Sequence, residues 1–374
     1  MLTVNLGTGP AEEARNWLEY CNSPTGTKYA DMRAAGGSTR PHDVKLWCLG
    51  NEMDGPWQLG HVPAEQYAIR ARQAAKMMKD LDASVELVAS GSSGPFMDTY
   101  VQWDRAVLEN LGDLADYVSL HRYVANSNDD TPEYLAVSNS IDRQIEEIDA
   151  VCRCAQARRK GNKRAYLCFD EWNVWYKNHV TDGRWQSAPA LLEETYNLED
   201  ALVVAGFLHS FIRHADSVKI ANLAQIVNVI APVLVRGRDV LIQSIFYPFE
   251  MFSRRRKGVA LRTAVEGPTY DARTNGRVNT IDASAILDGA RLHVFATNRD
   301  LCDPAEVSIR PAGRGIARLV DAEILTGPEP KSSNSFDDPA VVTSRTFEDV
   351  AVTGGAAVAR LPRLSLAAMT FELD

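Results

Sequence analysis

The sequence predicts an α/β protein in which parallel strands are covered by helices, followed by a β-sandwich. Three observations carry this reading. Short apolar, β-branched runs recur six times between Leu2 and Leu223, and helical patterns stepping by three and four residues lie between them. After about Gly258 the helical period ceases, and short strands are punctuated by Gly, Pro, Asp and Thr. With 374 residues, 45% hydrophobic and 24% charged, the chain has the composition of a globular protein long enough for two domains. The expected division is 1–257 and 258–374.

The strand candidates are 2–6, 44–49, 85–89, 117–120, 166–169 and 218–223, each ending at Gly or polar residues. Tyr67, Ala71, Ala74, Met78 and Leu81 share one helical face after Pro63, and Ile141, Ile145, Ile148 and Cys152 share another. A helix over 198–212 is apolar almost all round. A further helix ends at Arg158-Arg159-Lys160-Gly161, with cations at the negative pole of its dipole and Gly as the cap. Strand and helix in repeated alternation fit either a closed barrel or an open doubly wound sheet.

Forty-nine acidic against 40 basic residues give a net charge of −9, so no overall positive field draws nucleic acid or an anionic membrane. The run Arg254-Arg255-Arg256-Lys257 reads as a solvated helix end. No apolar run reaches the roughly 18 residues of a membrane span; the richest stretch, 226–235, is broken by Asn228 and Pro232. The first residues lack the basic and apolar regions of a signal peptide, which places the protein in the cytoplasm. Cysteines at 21, 48, 152, 154, 168 and 302 are expected as free thiols. Cys152-x-Cys154 lacks the further ligands of a zinc site, and neither metal nor organic cofactor is expected.

In parallel α/β folds, chemistry gathers where strands end. Strand 44–49 runs into Gly50-Asn51-Glu52-Met53-Asp54-Gly55-Pro56-Trp57, and strand 166–169 into Asp170-Glu171-Trp172-Asn173-Val174-Trp175-Tyr176. Strand 117–120 delivers His121 and Tyr123, and strand 218–223 delivers Gln225 and Asn228. Nothing comparable follows strand 85–89, which ends in Ser and Gly. Two carboxylates on one rim suit glycosidic cleavage, one protonating the leaving oxygen and the other attacking the opposite face of the sugar. Mutual repulsion at about 5 Å raises one pKa and keeps that group protonated. Indole faces suit sugar rings, while Asn, Gln, His and Tyr can fix hydroxyls. Asp54 and Asp170 compete with Glu52 and Glu171, and the longer reach of Glu favours the latter pair. Each of these residues also has an ordinary reading, as helix cap, rim ion pair, core imidazole or packing ring.

The segments 47–58 (Trp-Cys-Leu-Gly-Asn-Glu-Met-Asp-Gly-Pro-Trp-Gln) and 169–176 (Phe-Asp-Glu-Trp-Asn-Val-Trp-Tyr) resemble the two signature segments of glycoside hydrolase family 51, the α-L-arabinofuranosidases. The likeness continues through Ser119-Leu-His-Arg-Tyr, Leu198-Glu-Asp-Ala-Leu and 220–232, and into the terminal β region. It implies a (β/α)8 TIM barrel with a β-sandwich and a retaining double displacement. Glu52 is then the acid/base after barrel strand four, and Glu171 the nucleophile after strand seven. Asn51 would hold the sugar 2-hydroxyl, His121, Tyr123 and Gln225 would line the subsite, and Trp57 and Trp175 would be its aromatic walls.

By the same resemblance the first two strand–helix units, carrying a further Glu, Arg and Asn, would lie before Met1, through a late-assigned start or a gene fragment. The expected activity is exo-cleavage of terminal arabinofuranosyl residues from arabinan or arabinoxylan oligosaccharides, in a homo-oligomer, hexameric by resemblance. The alternatives are a catalytically silent remnant that binds sugars weakly, and a related hydrolase acting on β-xylosides or β-glucans.

Overall fold

Strand and helix alternate through the first 223 residues, and the strands assemble in chain order. The computed structural model describes residues 1–177, 187 and 192–374. The elements are β1 (Leu2–Val4), α1 (Ala11–Asn22), α2 (Lys28–Ala35), β2 (Leu46–Leu49), α3 (Ala64–Leu81), β3 (Glu86–Ala89), α4 (Gln102–Leu111) and β4 (Tyr117–Val124). Then come α5 (Thr131–Leu135), α6 (Ser138–Arg159), β5 (Tyr166–Val174), α7 (Leu198–Arg213) and β6 (Val218–Leu223). One sheet runs β1-β2-β3-β4-β5-β6, with the first three pairs parallel. A doubly wound sheet reverses its order at a switch point, and this sheet does not. Of the two architectures open to the sequence, the order is that of barrel-type winding.

Two compact units divide the chain: Met1–Arg122 with Gln144–Trp172 and Asp216–Asn222, and Tyr123–Arg143 with Asn173–Ala215 and Leu223–Asp374. In the first unit, Tyr67 on α3 joins the ends of two strands. Its hydroxyl donates to the Leu49 carbonyl and accepts from the Ser90 amide, both at 2.7 Å. Trp103 on α4 stacks on Tyr67 with centroids 5.3 Å apart, and its indole N–H donates to the Ser90 carbonyl at 3.0 Å. Both rings are buried, each worth about 1.5–3 kcal/mol of apolar burial, so the loops after β2 and β3 rest on a rigid floor.

The second unit contains the hairpin β7 (Val233–Arg236) and β8 (Asp239–Ile242), then α8 (Phe246–Ser253). The strands that follow are β9 (Val259–Leu261), β10 (Thr269–Ala272), β11 (Gly276–Asn279), β12 (Ile281–Asp288), β13 (Arg291–Asn298) and β14 (Ala305–Ile309). The last five are β15 (Ile316–Thr326), β16 (Thr343–Thr346), β17 (Val350–Thr353), β18 (Ala356–Leu361) and β19 (Ser365–Leu373). A six-stranded sheet, β16-β15-β19-β13-β12-β9, and a three-stranded sheet, β14-β18-β17, contribute to one apolar cluster that includes Val294, Ile324, Ala359, Met369 and Phe371. Two sheets sharing one core make the expected sandwich. Helix α7 is apolar all round because it is buried in this unit. Its His209 is bonded to Ser284 Oγ at 2.9 Å and Thr297 Oγ1 at 3.0 Å.

Several expectations are corrected. The two helices read around 141–152 and ending at 158–161 are the single 22-residue α6. Its left-handed residue is Lys160 (φ 54°), not Gly161. Lys160 N–H bonds to Ala157 and Gly161 N–H to Gln156, which is a Schellman closure one residue earlier than the glycine suggested. Arg255 is buried rather than solvated. Its guanidinium donates to Thr370 Oγ1 at 3.1 Å and the Met251 carbonyl at 3.0 Å, and pairs with Asp321 and Glu323. Cys152 is buried and Cys154 exposed, since residues two apart leave a helix on different sides. Among the described residues no helix is long and apolar enough to cross a membrane.

Candidate active site

Strand β2 ends at Leu49 and the chain turns at Gly50 (φ 84°), so that Glu52 takes a left-handed backbone (φ 46°). That conformation costs a non-glycine residue on the order of 1–3 kcal/mol and is found where surroundings impose it. The turn is closed by Gly55 N–H donating to the Glu52 carbonyl at 2.9 Å. Strands β4 and β5 extend farther than their apolar runs. His121 and Tyr123 therefore lie within β4, and Asp170 and Glu171 within β5, not beyond them. Inward residues late in a barrel-type strand are allowed to be polar because they face the mouth, which is why the hydrophobic pattern stops early.

In the first unit these elements bring Glu52, His121, Asp170 and Glu171 together. His121 Nδ1 lies 3.0 Å from Glu52 Oε1 and 3.6 Å from Glu171 Oε2, and Nε2 lies 3.4 Å from Asp170 Oδ1. One donor atom each from Glu52, His121 and Glu171 falls within a 4.8 Å span. Trp57 Nε1 donates to Glu52 Oε2 at 2.5 Å, and Gln58 Nε2 reaches the same oxygen at 3.4 Å. Behind them the Cys48 thiol donates to Asp170 Oδ2 at 3.3 Å, and the Gln144 amide donates to the His121 carbonyl at 3.1 Å.

The competing aspartates are engaged by other partners. Asp54 accepts from the Ser93 amide at 3.0 and 3.2 Å and from the Ser93 hydroxyl, which ties the loop after β3 to the loop after β2. Asp170 has a side chain only 7% exposed and is turned toward Cys48 and His121, whereas that of Glu171 is 30% exposed. Ser93 and its loop were invisible to the sequence reading, which found nothing after strand 85–89; a serine that clamps a carboxylate has no sequence signature of its own.

Burial disfavours charge on His121, but hydrogen bonds to Asp170 and Glu52, and the charge of Glu171, raise its pKa to about 10. For Glu52, burial acts upward and is outweighed by the His121 hydrogen bond and charge and by Trp57 and Gln58, so its pKa is lowered. This corrects the expectation that the acid carboxylate is raised: at Glu52 the neighbouring imidazole outweighs burial. Asp54, by contrast, is raised by burial. Glu52, His121 and Glu171 form a possible metal-ligand set by distance. A protonated imidazole cannot ligate, and the pKa near 10 opposes such binding at neutral pH.

The remaining site candidates are placed as follows. Asn51 is exposed beside Glu52. Trp57 is 53% exposed. In the second unit, Tyr123 and Trp175 pack edge to face with centroids 5.0 Å apart, and Lys177 Nζ stands 4.9 Å over the Trp175 ring. Gln225 is exposed in the loop after β6, its amide bonded to the Ile230 carbonyl at 3.3 Å. Asn173 is fully buried and donates to the carbonyls of Ala224 and Ile230, both at 2.5 Å, pinning the two ends of that loop. Asn228 clasps the β7–β8 hairpin, accepting from the Val235 amide at 2.7 Å. Asn173 flanks Glu171 in sequence and Asn228 follows strand 218–223, and both bond to backbone that holds these loops.

Comparison with known proteins gives the family. The α-L-arabinofuranosidase 1 domain model matches residues 6–142, and the α-L-arabinofuranosidase C-terminal domain model matches 170–365. An intracellular exo-α-(1→5)-L-arabinofuranosidase from Acetivibrio thermocellus is 41% identical over 351 residues, 91% of this chain and 70% of that protein. An exo-α-(1→6)-L-arabinofuranosidase from Bifidobacterium longum is 38% identical, over 90% of this chain and 67% of that one. The solved structure of a family 51 α-L-arabinofuranosidase from Bifidobacterium longum superposes with a TM-score of 0.94 at 35% identity, covering 100% of this chain and 76% of that one. Matched along nearly its whole length, the chain belongs to the glycoside hydrolase family 51 α-L-arabinofuranosidases.

Proposed function

We propose that this chain is a retaining, exo-acting α-L-arabinofuranosidase that releases terminal arabinofuranosyl residues from arabinan or arabinoxylan oligosaccharides; the names of its relatives support the exo-acting arabinofuranosidase part of this reading. The observation that carries the proposal is the approach of Glu52 and Glu171 within the 4.8 Å span shared with His121. Retaining enzymes hold their carboxyl groups about 5–5.5 Å apart, and inverting enzymes leave room for a water. The left-handed backbone at Glu52 supports a functional reading of that residue.

In the first step Glu171 attacks the anomeric carbon while Glu52 gives its proton to the leaving oxygen; in the second Glu52 takes a proton from water, which cleaves the glycosyl–enzyme bond. A sugar entering between the two carboxylates displaces the His121–Glu52 hydrogen bond. Glu52 then loses the contact that lowers its pKa and faces the charge of Glu171, which favours the protonated acid. Asn51 and His121 hold sugar hydroxyls in this reading, and Trp57, Tyr123, Trp175 and Gln225 are further candidates for substrate contact.

The proposal extends to a catalytic part over 1–257, belonging to an eight-stranded TIM barrel, and a sandwich domain over 258–374. The chain-order sheet β1–β6 and an apolar cluster drawn wholly from residues 261–373 support that division. It also includes action without cofactor, a cytoplasmic location and homo-oligomeric assembly, which light scattering would measure. The test is hydrolysis of 4-nitrophenyl α-L-arabinofuranoside with the anomeric configuration of the first product followed by NMR. Release of the α-anomer supports the proposal. Release of the β-anomer overturns the retaining mechanism, and sugar binding without turnover favours the silent alternative.

A further inference from the structure

The rim beside Glu52 carries two exposed aromatic rings that the chemistry above does not fully use. Trp57 is 53% exposed and Phe96 is 71% exposed, yet they lie against each other with centroids 6.2 Å apart and planes tilted by 34°. Large apolar rings left in water together mark a binding surface more often than single exposed ones do. Each ring is also seated on a glycine: a Cβ on Gly55 would collide with the Trp57 indole, and a Cβ on Gly94 would collide with the Phe96 ring. Both rings therefore fold back onto their own loops and present an outer face. The loops are tied by the carboxylate of Asp54, which accepts from the Ser93 amide and hydroxyl. Phe96 thus stands at a fixed place relative to Trp57.

The direction of this platform follows from Glu52. An acid/base carboxylate faces the leaving-group oxygen, and Trp57 Nε1 is bonded to Oε2 of that same carboxylate. Trp57 is consequently on the leaving-group side, and Phe96 lies next to it on the exposed rim. The negative face of an aromatic ring attracts the weakly positive C–H groups on the apolar face of a sugar.

We infer that Trp57 and Phe96 form a stacking subsite for the sugar ring immediately beyond the scissile bond, with Phe96 the residue that selects oligosaccharides over simple arabinosides. This rests on the proposed arabinofuranosidase function, and Phe96 contributes binding to the leaving group rather than to the cleaved arabinose.

The test compares kcat/KM for an α-linked arabino-oligosaccharide with kcat/KM for methyl α-L-arabinofuranoside, whose leaving group has no ring. In Phe96→Ala the ratio of the two falls roughly tenfold, the equivalent of a single aromatic stacking contact. Phe96→Tyr restores the ratio, which separates lost stacking from a damaged fold. An unchanged ratio in Phe96→Ala overturns the inference, as does a fall that Phe96→Tyr does not restore. Wild-type protein that cleaves neither substrate overturns the functional reading itself and takes the inference with it.

Discussion

His121 Nδ1 is 3.0 Å from Glu52 Oε1, so the imidazole of β4 is bonded to the residue proposed as acid/base. The ring has a pKa near 10 against its ordinary 6.5; burial opposes the charge, but Asp170, Glu52 and Glu171 hold the proton on it. A raised pKa in the fold means stabilisation that is complete below pH 6.5 and is lost as pH rises from 6.5 through about 10. Thermal unfolding midpoints of the wild type are expected to fall across that window. In His121→Gln the fall is smaller, because the group that titrates is gone. An identical pH profile in the two proteins contradicts the assignment.

Glu171→Ala is expected to abolish hydrolysis of aryl arabinofuranosides, since it removes the proposed nucleophile. Turnover close to the wild-type rate in that variant rejects Glu171 as nucleophile. In Glu52→Ala an aryl leaving group still departs, but the intermediate is hydrolysed slowly for want of a base. Added azide should speed its release as the arabinosyl azide, detectable by mass spectrometry.

Asn173→Asp tests the loop that carries Gln225. The replacement has the same shape but sets a carboxylate oxygen against the carbonyls of Ala224 and Ile230, where an amide N–H₂ now donates to both. Loss of two buried donations is worth about 1–3 kcal/mol of stability, measured by denaturant unfolding. If the loop positions Gln225 on substrate, KM for arabinosides rises with it.

Asp282 lies between the buried Arg299, 3.6 Å away, and the half-buried Arg213, whose Nη1 donates to it at 2.6 Å. Against the upward push of burial, these charges hold its carboxyl far below the usual range. Asp282→Ala leaves the buried Arg299 without its carboxylate, while Arg213 keeps Asp142 at 2.9 Å, and is expected to cost about 3–5 kcal/mol. Calorimetry of the variant would measure this loss; a change under 1 kcal/mol would mean that the arginines find other partners.

Much of this architecture was legible because it follows from periodic burial. The alternation through Val218–Leu223, the apolar girth of α7 and the change of pattern near Gly258 each report a packing environment directly. What escaped was set by contacts distant in sequence. Strand β5 runs to Val174, but its apolar run ends at Phe169 because the next residues face the mouth of the sheet. Arg255 reads as surface charge until Asp321 and Glu323 arrive from β15. Glu52 and Glu171 stood out by their neighbours, whereas Phe96 did not, since its partner Trp57 is 39 positions earlier and the glycine beneath it looks like ordinary loop composition.

The chain passes from one compact unit to the other five times, returning to the first at Gln144 and again at Asp216. A single recombination crossover between two genes of this family therefore cannot exchange one unit alone and whole: junctions from 123 to 222 divide both units, and any other carries one unit with a piece of its neighbour. Inheritance couples the two units: a substitution in one stays with part of the background of the other across exchanges that would separate domains strung end to end. Chimeras of related enzymes built at one junction should for that reason lose stability more often than those that exchange all the segments of a unit together.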